Sequence, residues 1–163
     1  MNTHVSSTAH EVIIGDDRPA VLIGERINPT GKKKLAAALL TGDLSVVREE
    51  AVAQVQAGAD ILDVNVGLTG VDEVILLPEA VAAVMAAVDV PLCLDSHNPQ
   101  ALESALKVYQ GKAIVNSVNG REETLKEILP LVREYGAAVI GLTMDDRGIP
   151  AEAEGRVAIA RKI

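Results

Sequence analysis

The middle of the chain carries a carboxylate and three hydrogen-bonding side chains directly behind a short apolar run. The run is residues 90–94, and the polar side chains that follow it are Asp95, Ser96, His97 and Asn98. An uncharged run of this length is typical of a strand that is buried on both faces of a parallel sheet. Polar residues behind such a strand lie at the edge where α/β proteins bind their ligands. The alternative is that Asp95 only caps the helix that follows.

The same arrangement recurs behind each of five apolar runs. Asp63 and Asn65 are two positions apart, so both side chains point to the same face of their strand. Polar side chains on such a face need partners, because burial without hydrogen bonds is costly. Five polar strand ends together favour a ligand-binding mouth over five coincidental helix caps. These residues are Glu25 and Asn28, Asp63 and Asn65, Asp95 and Ser96, Asn116 and Ser117, and Asp145.

Apolar strand patterns alternate with amphipathic helix patterns along the chain, which predicts an α/β fold with a parallel sheet. No turn carries the Gly-x-Gly-x-x-Gly pattern of a dinucleotide-binding fold. A closed barrel needs eight strand–helix units, so the pattern predicts a TIM-type (β/α)8 barrel truncated to about its first five units. The predicted strands are residues 20–24, 60–67, 90–94, 112–115 and 137–142. The predicted helices are residues 34–40, a helix from a cap at 43 or 45 to 57, and residues 78–88, 100–109, 122–135 and 153–163.

A short N-terminal hairpin is predicted ahead of the barrel. Residues 1–10 are predicted to be a loose polar start, and residues 12–14 and 20–24 to be two strands joined by a turn at residues 15–19. This divides the chain into a tail and hairpin at residues 1–20 and a barrel domain at residues 21–163.

Composition argues against several classes of function. The net charge is −8 and no basic stripe is interleaved with aromatic residues, so a nucleic-acid binder is not expected. No apolar run reaches membrane-spanning length, and the N-terminus does not resemble a signal peptide, which predicts a cytoplasmic protein. Cys93 lies in an apolar strand and is interpreted as a packing residue, and no metal site is predicted. Lys32, Lys33 and Lys34 either serve an anionic ligand tail or form the solvated first turn of a helix.

Six sequence motifs define a resemblance to a known family. They are GERIN at 24–28, GADILDVNVG at 58–67, CLDSHN at 93–98, NSVN at 116–119, GLTM at 141–144 and GIP at 148–150. In this order they resemble the pterin-binding barrel family, and the resemblance covers residues 21–150. Within that family they are most similar to the methyltetrahydrofolate:corrinoid-protein methyltransferases and to the folate module of cobalamin-dependent methionine synthase.

The resemblance implies a (β/α)8 barrel that transfers the N5 methyl group of methyltetrahydrofolate to the Co(I) corrinoid of a partner protein. Methyltetrahydrofolate is then the substrate, the cobalamin or other corrinoid is carried by the partner, and a full-length form is expected to be a homodimer. The family's second pterin-binding aspartate and the asparagine beside N5 come from later strands, and their counterparts are expected beyond Ile163.

The resemblance also assigns residues to the site. Asp95 resembles the aspartate that binds the N–H groups of the pterin ring, and Asn116 resembles an asparagine of the same pocket. A carboxylate can accept from two donors at once, which suits the donor-rich edge of a pterin. Other positions are expected to contact the ligand or to support the pocket; these are Glu25, Asn28, Asp63, Asn65 and Ser96.

Two other interpretations stay open at this point. One is a dihydropteroate synthase-like enzyme, although Asn28-Pro29-Thr30-Gly31 fits the first-loop pattern of that enzyme poorly. The other is a non-catalytic pterin-binding fragment. Titration with methyltetrahydrofolate separates a binder from a non-binder, and addition of a corrinoid protein separates a binder from an enzyme.

Overall fold

A computed structural model describes residues 2–163 and contains two sheets with helices between the strands of the larger one. The strands are β1 (Thr3–Ser6), β2 (Glu11–Ile14), β3 (Ile23–Ile27), β4 (Ile61–Val64), β5 (Leu92–Asp95), β6 (Ile114–Asn119) and β7 (Ala138–Leu142). The helices are α1 (Lys33–Leu40), α2 (Ser45–Gln56), α3 (Glu73–Ala87), α4 (Pro99–Val108), α5 (Glu122–Glu134) and α6 (Ala153–Lys162).

The larger sheet has the order β3-β4-β5-β6-β7, and every neighbouring pair is parallel. One face of this sheet packs against the helices through side chains with no exposed surface, such as Leu62, Leu94 and Val115. We call the opposite face, which would point into a barrel, the inner face. The predicted α/β class, the parallel sheet and the five strand–helix units are therefore confirmed.

The N-terminal hairpin forms between different strands from those predicted. Strand β1 pairs antiparallel with β2, with Val5 opposite Val12, so residues 3–6 are a strand and not part of a loose start. The segment 20–24 does not complete the hairpin, and the first strand of the larger sheet begins only at Ile23. The prediction was wrong because β1 is polar apart from Val5, and a single apolar residue gives no strand pattern.

The hairpin covers the lower part of the inner face, near the amino ends of the strands. Val5 is fully buried there against Ile61, Cys93 and Ile114, and we call these four residues the apolar layer. The hydroxyl of Tyr109 fastens the hairpin to the sheet, because it donates to the Ser6 carbonyl at 2.8 Å and accepts from the Leu92 amide at 3.1 Å.

Polar residues that were predicted to follow the strands lie within them. Strand β6 was predicted at residues 112–115 but spans Ile114–Asn119, and Glu25 and Asp95 also lie inside their strands. Pairing with β7 continues past Asn116 across a register shift, and the Asn116–Ser117 peptide bond is cis. The apolar pattern stops before the hydrogen-bonded ladder does, which is why the strand ends were placed too early.

Two helix starts separate capping residues from candidate site residues. Helix α4 is capped by Asn98, whose Oδ1 accepts from the amides of Gln100 and Ala101, so Asp95 is not a cap. Helix α3 begins at Glu73, five residues before the predicted start at Pro78, because Asp72 caps it. Among residues 2–163, no helix has both the length and the apolar composition that a membrane span requires.

Candidate functional site

Four polar side chains occupy the inner face next to the apolar layer, toward the carboxyl ends of the strands. They are Asp63 on β4, Asn65 just behind it, Asp95 on β5 and Asn116 on β6, and we call them the polar layer. Asp95 and Asn116 are register partners on adjacent strands, so their backbones are about 5 Å apart. The alternation of strand side chains brings together these four residues, all of which were predicted as site residues.

Asn65 holds the carboxylate of Asp95. Its Nδ2 donates to Asp95 Oδ2 at 2.8 Å, and its Oδ1 accepts from the Gly67 amide at 2.8 Å, so both ends of the Asn65 side chain are engaged. Within residues 2–163 no donor is bonded to the other oxygen, Oδ1, of Asp95. Asp95 is half-buried and keeps this oxygen available to a ligand on the inner face.

Asn116 is held in turn by Asp63. The Nδ2 of Asn116 donates to Asp63 Oδ1 at 3.1 Å, while Asp63 itself is 4% exposed. Burial raises the pKa of Asp63, the Asn116 amide and the neighbouring Cys93 thiol oppose the increase, and the charges of Asp95 and Glu25 add to it. No donor among the described residues reaches Asp63 Oδ2, which is a buried acceptor without a partner.

Cys93 lies in the apolar layer beside Asp63. Burial and the neighbouring Asp63 carboxylate raise the pKa of its thiol, so the thiolate is disfavoured. This agrees with the interpretation of Cys93 as a packing residue, since a thiol that does not ionise is a poor nucleophile. Among residues 2–163, no three His, Cys, Asp or Glu side chains converge so that they could hold a metal ion.

Glu25 and Asn28 lie at the edge of the site on β3 and the loop after it. Glu25 is exposed and forms an ion pair with Lys32, whose Nζ is 3.6 Å from Glu25 Oε2. The Oδ1 of Asn28 accepts from the Thr30 amide at 3.0 Å and so shapes the loop. Sequence reasoning left the role of Lys32 open; the structure shows it compensating an acidic residue at the rim.

Ser96, Ser117 and Asp145 are not joined to the polar layer by hydrogen bonds. Ser96 is buried and donates to Glu73 Oε2 at 2.6 Å, a contact that sequence reasoning missed although Glu73 follows a capping aspartate. Ser117 lies beside Ser96 on a cavity of about 450 Å³. Asp145 binds Arg147, with Arg147 Nη2 2.8 Å from Asp145 Oδ2, and this pairing lowers the pKa of Asp145.

The polar layer is suited to a ligand with several N–H donors. It offers a carboxylate with one free oxygen at Asp95 and a neighbouring amide oxygen at Asn116, both within half-buried surroundings where such bonds are strong. Flat heterocycles with amide-like and amino groups along one edge present this pattern of donors.

Comparisons with known proteins agree with this chemistry. The family described as "Pterin binding enzyme" matches residues 24–160. Methionine synthase from Mycobacterium tuberculosis is 31% identical over 98% of this chain and 14% of its own length. Methylcorrinoid:tetrahydrofolate methyltransferase from Eubacterium limosum is 32% identical over 86% of this chain and 52% of its own length.

Solved structures support the fold. Dihydropteroate synthase from Thermus thermophilus superposes with a TM-score of 0.58 at 24% identity, covering 87% of this chain and 49% of the synthase. An identity this low supports the architecture and says nothing about activity. This chain spans about half the length of that synthase and of the Eubacterium relative, and a smaller share of methionine synthase. Since the family match covers more than half of its residues, the chain belongs to the family of pterin-binding enzymes.

Proposed function

We propose that this chain supplies the pterin-binding half of a methyltransferase site, at which the N5 methyl group of methyltetrahydrofolate passes to the Co(I) corrinoid of a partner protein. One observation carries the proposal: Asp95 and Asn116 lie side by side on the inner face, within the matched motifs, and each is held by a second polar residue. The names of the Mycobacterium and Eubacterium relatives support the choice of methyl transfer within the family.

In this proposal the residues of the chain bind and orient the pterin. Asp95 accepts from ring N–H groups through its free oxygen, and the side-chain amide of Asn116 forms hydrogen bonds with the same edge of the pterin ring. Glu25, Asn28 and Ser96 support the loops around the pocket. The corrinoid supplies a cobalt centre that takes the methyl group, and it is carried by the partner. The Eubacterium relative is named for the opposite direction of transfer, which the same pterin site would serve.

The partner is therefore a corrinoid-carrying protein, and a longer form of this protein is expected to be a homodimer, as the family resemblance implies. The dihydropteroate synthase-like alternative is supported by fold likeness alone. It requires a pterin pyrophosphate and an aminobenzoate as substrates, so the two proposals differ in the ligands that the site should bind.

The proposal is tested by titrating methyltetrahydrofolate into the 163-residue chain and its Asp95→Ala variant by calorimetry. We expect the variant to lose about 2–4 kcal/mol of binding free energy, because ring donors lose a charged acceptor in half-buried surroundings. Asp16→Ala, in the exposed turn after β2, is the matched control and should bind like wild type.

Equal affinity of a folded Asp95→Ala variant and wild type would contradict the role of Asp95. Addition of a methyl-accepting corrinoid protein extends the test to turnover. Methyl transfer supports the proposal, whereas binding without transfer to any corrinoid protein supports the non-catalytic alternative. Preferential binding of a pterin pyrophosphate supports the synthase-like alternative.

A further inference from the structure

Asp63 and Asn116 are joined across the sheet over the intervening strand β5. The contact runs from Asn116 Nδ2 on β6 to Asp63 Oδ1 on β4, at 3.1 Å. An ionised carboxylate can only accept hydrogen bonds, so it binds the NH2 side of an amide and never the oxygen side. The bond therefore turns the amide oxygen of Asn116 away from Asp63.

Asp63 is too deeply buried to meet a ligand in the way that Asp95 can. It is 4% exposed and lies against the apolar layer, with Cys93 as its register partner on β5. Asn116 and Asp95, one step higher on the inner face, are half-buried. A hydrogen-bonded effect of Asp63 on a ligand must consequently pass through the side chain that it holds.

The surroundings of Asp63 make this arrangement costly for the fold. Oδ2 has no donor among the described residues, and the carboxylates of Asp95 and Glu25 act on the same carboxyl group, against which only the Asn116 amide and the neighbouring Cys93 thiol favour its charged form. Burial raises the pKa of Asp63, which is the physical expression of that cost. A buried carboxyl oxygen without a partner lowers the stability of the folded state. The role of Asp63 is therefore to be sought in the side chain that its other oxygen orients.

We propose that Asp63 is a positioning residue that fixes the amide of Asn116, so that the carbonyl oxygen of Asn116 and not its NH2 group faces the ligand. The identification of that ligand as a pterin rests on the proposed function. With the amide fixed, the site presents acceptors at both Asp95 and Asn116, and it selects a ligand edge that carries N–H donors.

The first test compares the affinities of three variants for methyltetrahydrofolate. Asp63→Ala should weaken binding about tenfold, the lower end of the effect of removing a group that orients a ligand-contacting residue. Asp63→Asn can still accept from Asn116 Nδ2, but its own NH2 group also allows the Asn116 amide to turn over, so it should bind more weakly than wild type and more tightly than Asp63→Ala. Ile61→Val, two residues earlier on the same face of β4, perturbs the same packing without touching Asn116 and should also bind like wild type.

The second test asks whether Asp63 acts through Asn116. In the Asn116→Ala background, Asp63→Ala should change affinity by less than about twofold, because a residue that acts only through Asn116 has nothing left to orient, whereas independent residues would show the same tenfold loss in both backgrounds. The side-chain amide resonances of Asn116 in the ligand-free protein should shift with pH as Asp63 titrates, and this shift should be absent from Asp63→Asn.

The outcomes separate the two proposals. A tenfold loss that persists in the Asn116→Ala background, or Asn116 resonances that are insensitive to Asp63, would overturn the positioning role. If wild type does not bind methyltetrahydrofolate but the Asn116 resonances still follow Asp63, the positioning role holds and the proposed ligand is wrong.

Discussion

The inner face of the sheet changes from apolar to polar within two residues along three neighbouring strands. The changes are Ile61 to Asp63 on β4, Cys93 to Asp95 on β5, and Ile114 to Asn116 on β6. The apolar layer is covered by the hairpin, which buries Val5 completely, whereas the polar layer above it has half-buried members.

The two layers of one face therefore have opposite effects on the stability of the fold. The apolar layer gains stability by removing hydrocarbon from water. The polar layer includes a buried carboxyl oxygen without a partner at Asp63, which lowers the stability of the fold. A packed, buried layer next to the polar layer restrains the polar side chains, and restrained side chains are what recognition of a flat ligand edge requires.

The largest expected effect comes from making the apolar layer charged. Val5→Asp should lower the free energy of unfolding by about 4 kcal/mol, because it places an unpaired carboxylate where the side chain has no exposed surface. Urea unfolding followed by circular dichroism measures the loss. Thr3→Asp is the control, since Thr3 is exposed on the same strand and should leave stability nearly unchanged. Similar losses for both variants would show that the hairpin does not seal the inner face.

A smaller effect is expected when the hairpin is detached from β5. Tyr109→Phe removes the bonds to the Ser6 carbonyl and the Leu92 amide, and should cost about 2 kcal/mol because the buried Leu92 amide loses this partner and the Ser6 carbonyl is left with the Lys112 amide. Tyr135→Phe is the matched control, since no side-chain hydrogen bond of Tyr135 occurs among the described residues. If thermal unfolding of the two variants is indistinguishable, the Tyr109 hydroxyl does not fasten the hairpin.

The sequence predicted the order of strands and helices well because strands buried in a parallel sheet are continuous apolar runs. It placed the ends of β6 and the start of α3 wrongly, because the polar layer interrupts the apolar pattern and Pro78 lies inside a helix that Asp72 starts. It also paired the hairpin wrongly, since the partner of β2 carries one inward apolar residue, Val5.

The site was predicted only in part, for a reason that is equally physical. The alternation of strand side chains predicts that Asp63, Asn65, Asp95 and Asn116 gather at one edge. It does not predict that Asn65 bonds to Asp95 or that Asn116 bonds to Asp63, because those pairs depend on register between strands that are distant in sequence. Glu73 was missed because it reaches the site region from the start of a helix.

The smallest expected effect concerns the polar layer. Asp63→Asn should raise the free energy of unfolding at neutral pH by about 1 kcal/mol, because a neutral amide left unpaired costs less than a carboxylate left unpaired. Burial raises the pKa of Asp63, so the folded protein favours the protonated acid more than the unfolded chain does. The stabilising contribution of protonated Asp63 to the folded state is therefore complete below the ordinary pKa of an aspartate. It is lost as pH rises through the raised pKa that Asp63 has in the folded protein.

The gain in the free energy of unfolding from Asp63→Asn should accordingly grow as pH rises through the raised pKa of Asp63 and shrink toward acid pH. Asp145→Asn provides a control of opposite sign. The bonds from Arg147 lower the pKa of Asp145. The ionised Asp145 therefore stabilises the fold above the ordinary pKa of an aspartate, and this stabilisation is lost as pH falls through the lowered pKa. Denaturant unfolding of wild type and both variants across the acid-to-neutral range measures these differences. If the Asp63→Asn difference is independent of pH, or becomes larger toward acid, the uncompensated carboxylate in the polar layer is ruled out as a source of instability.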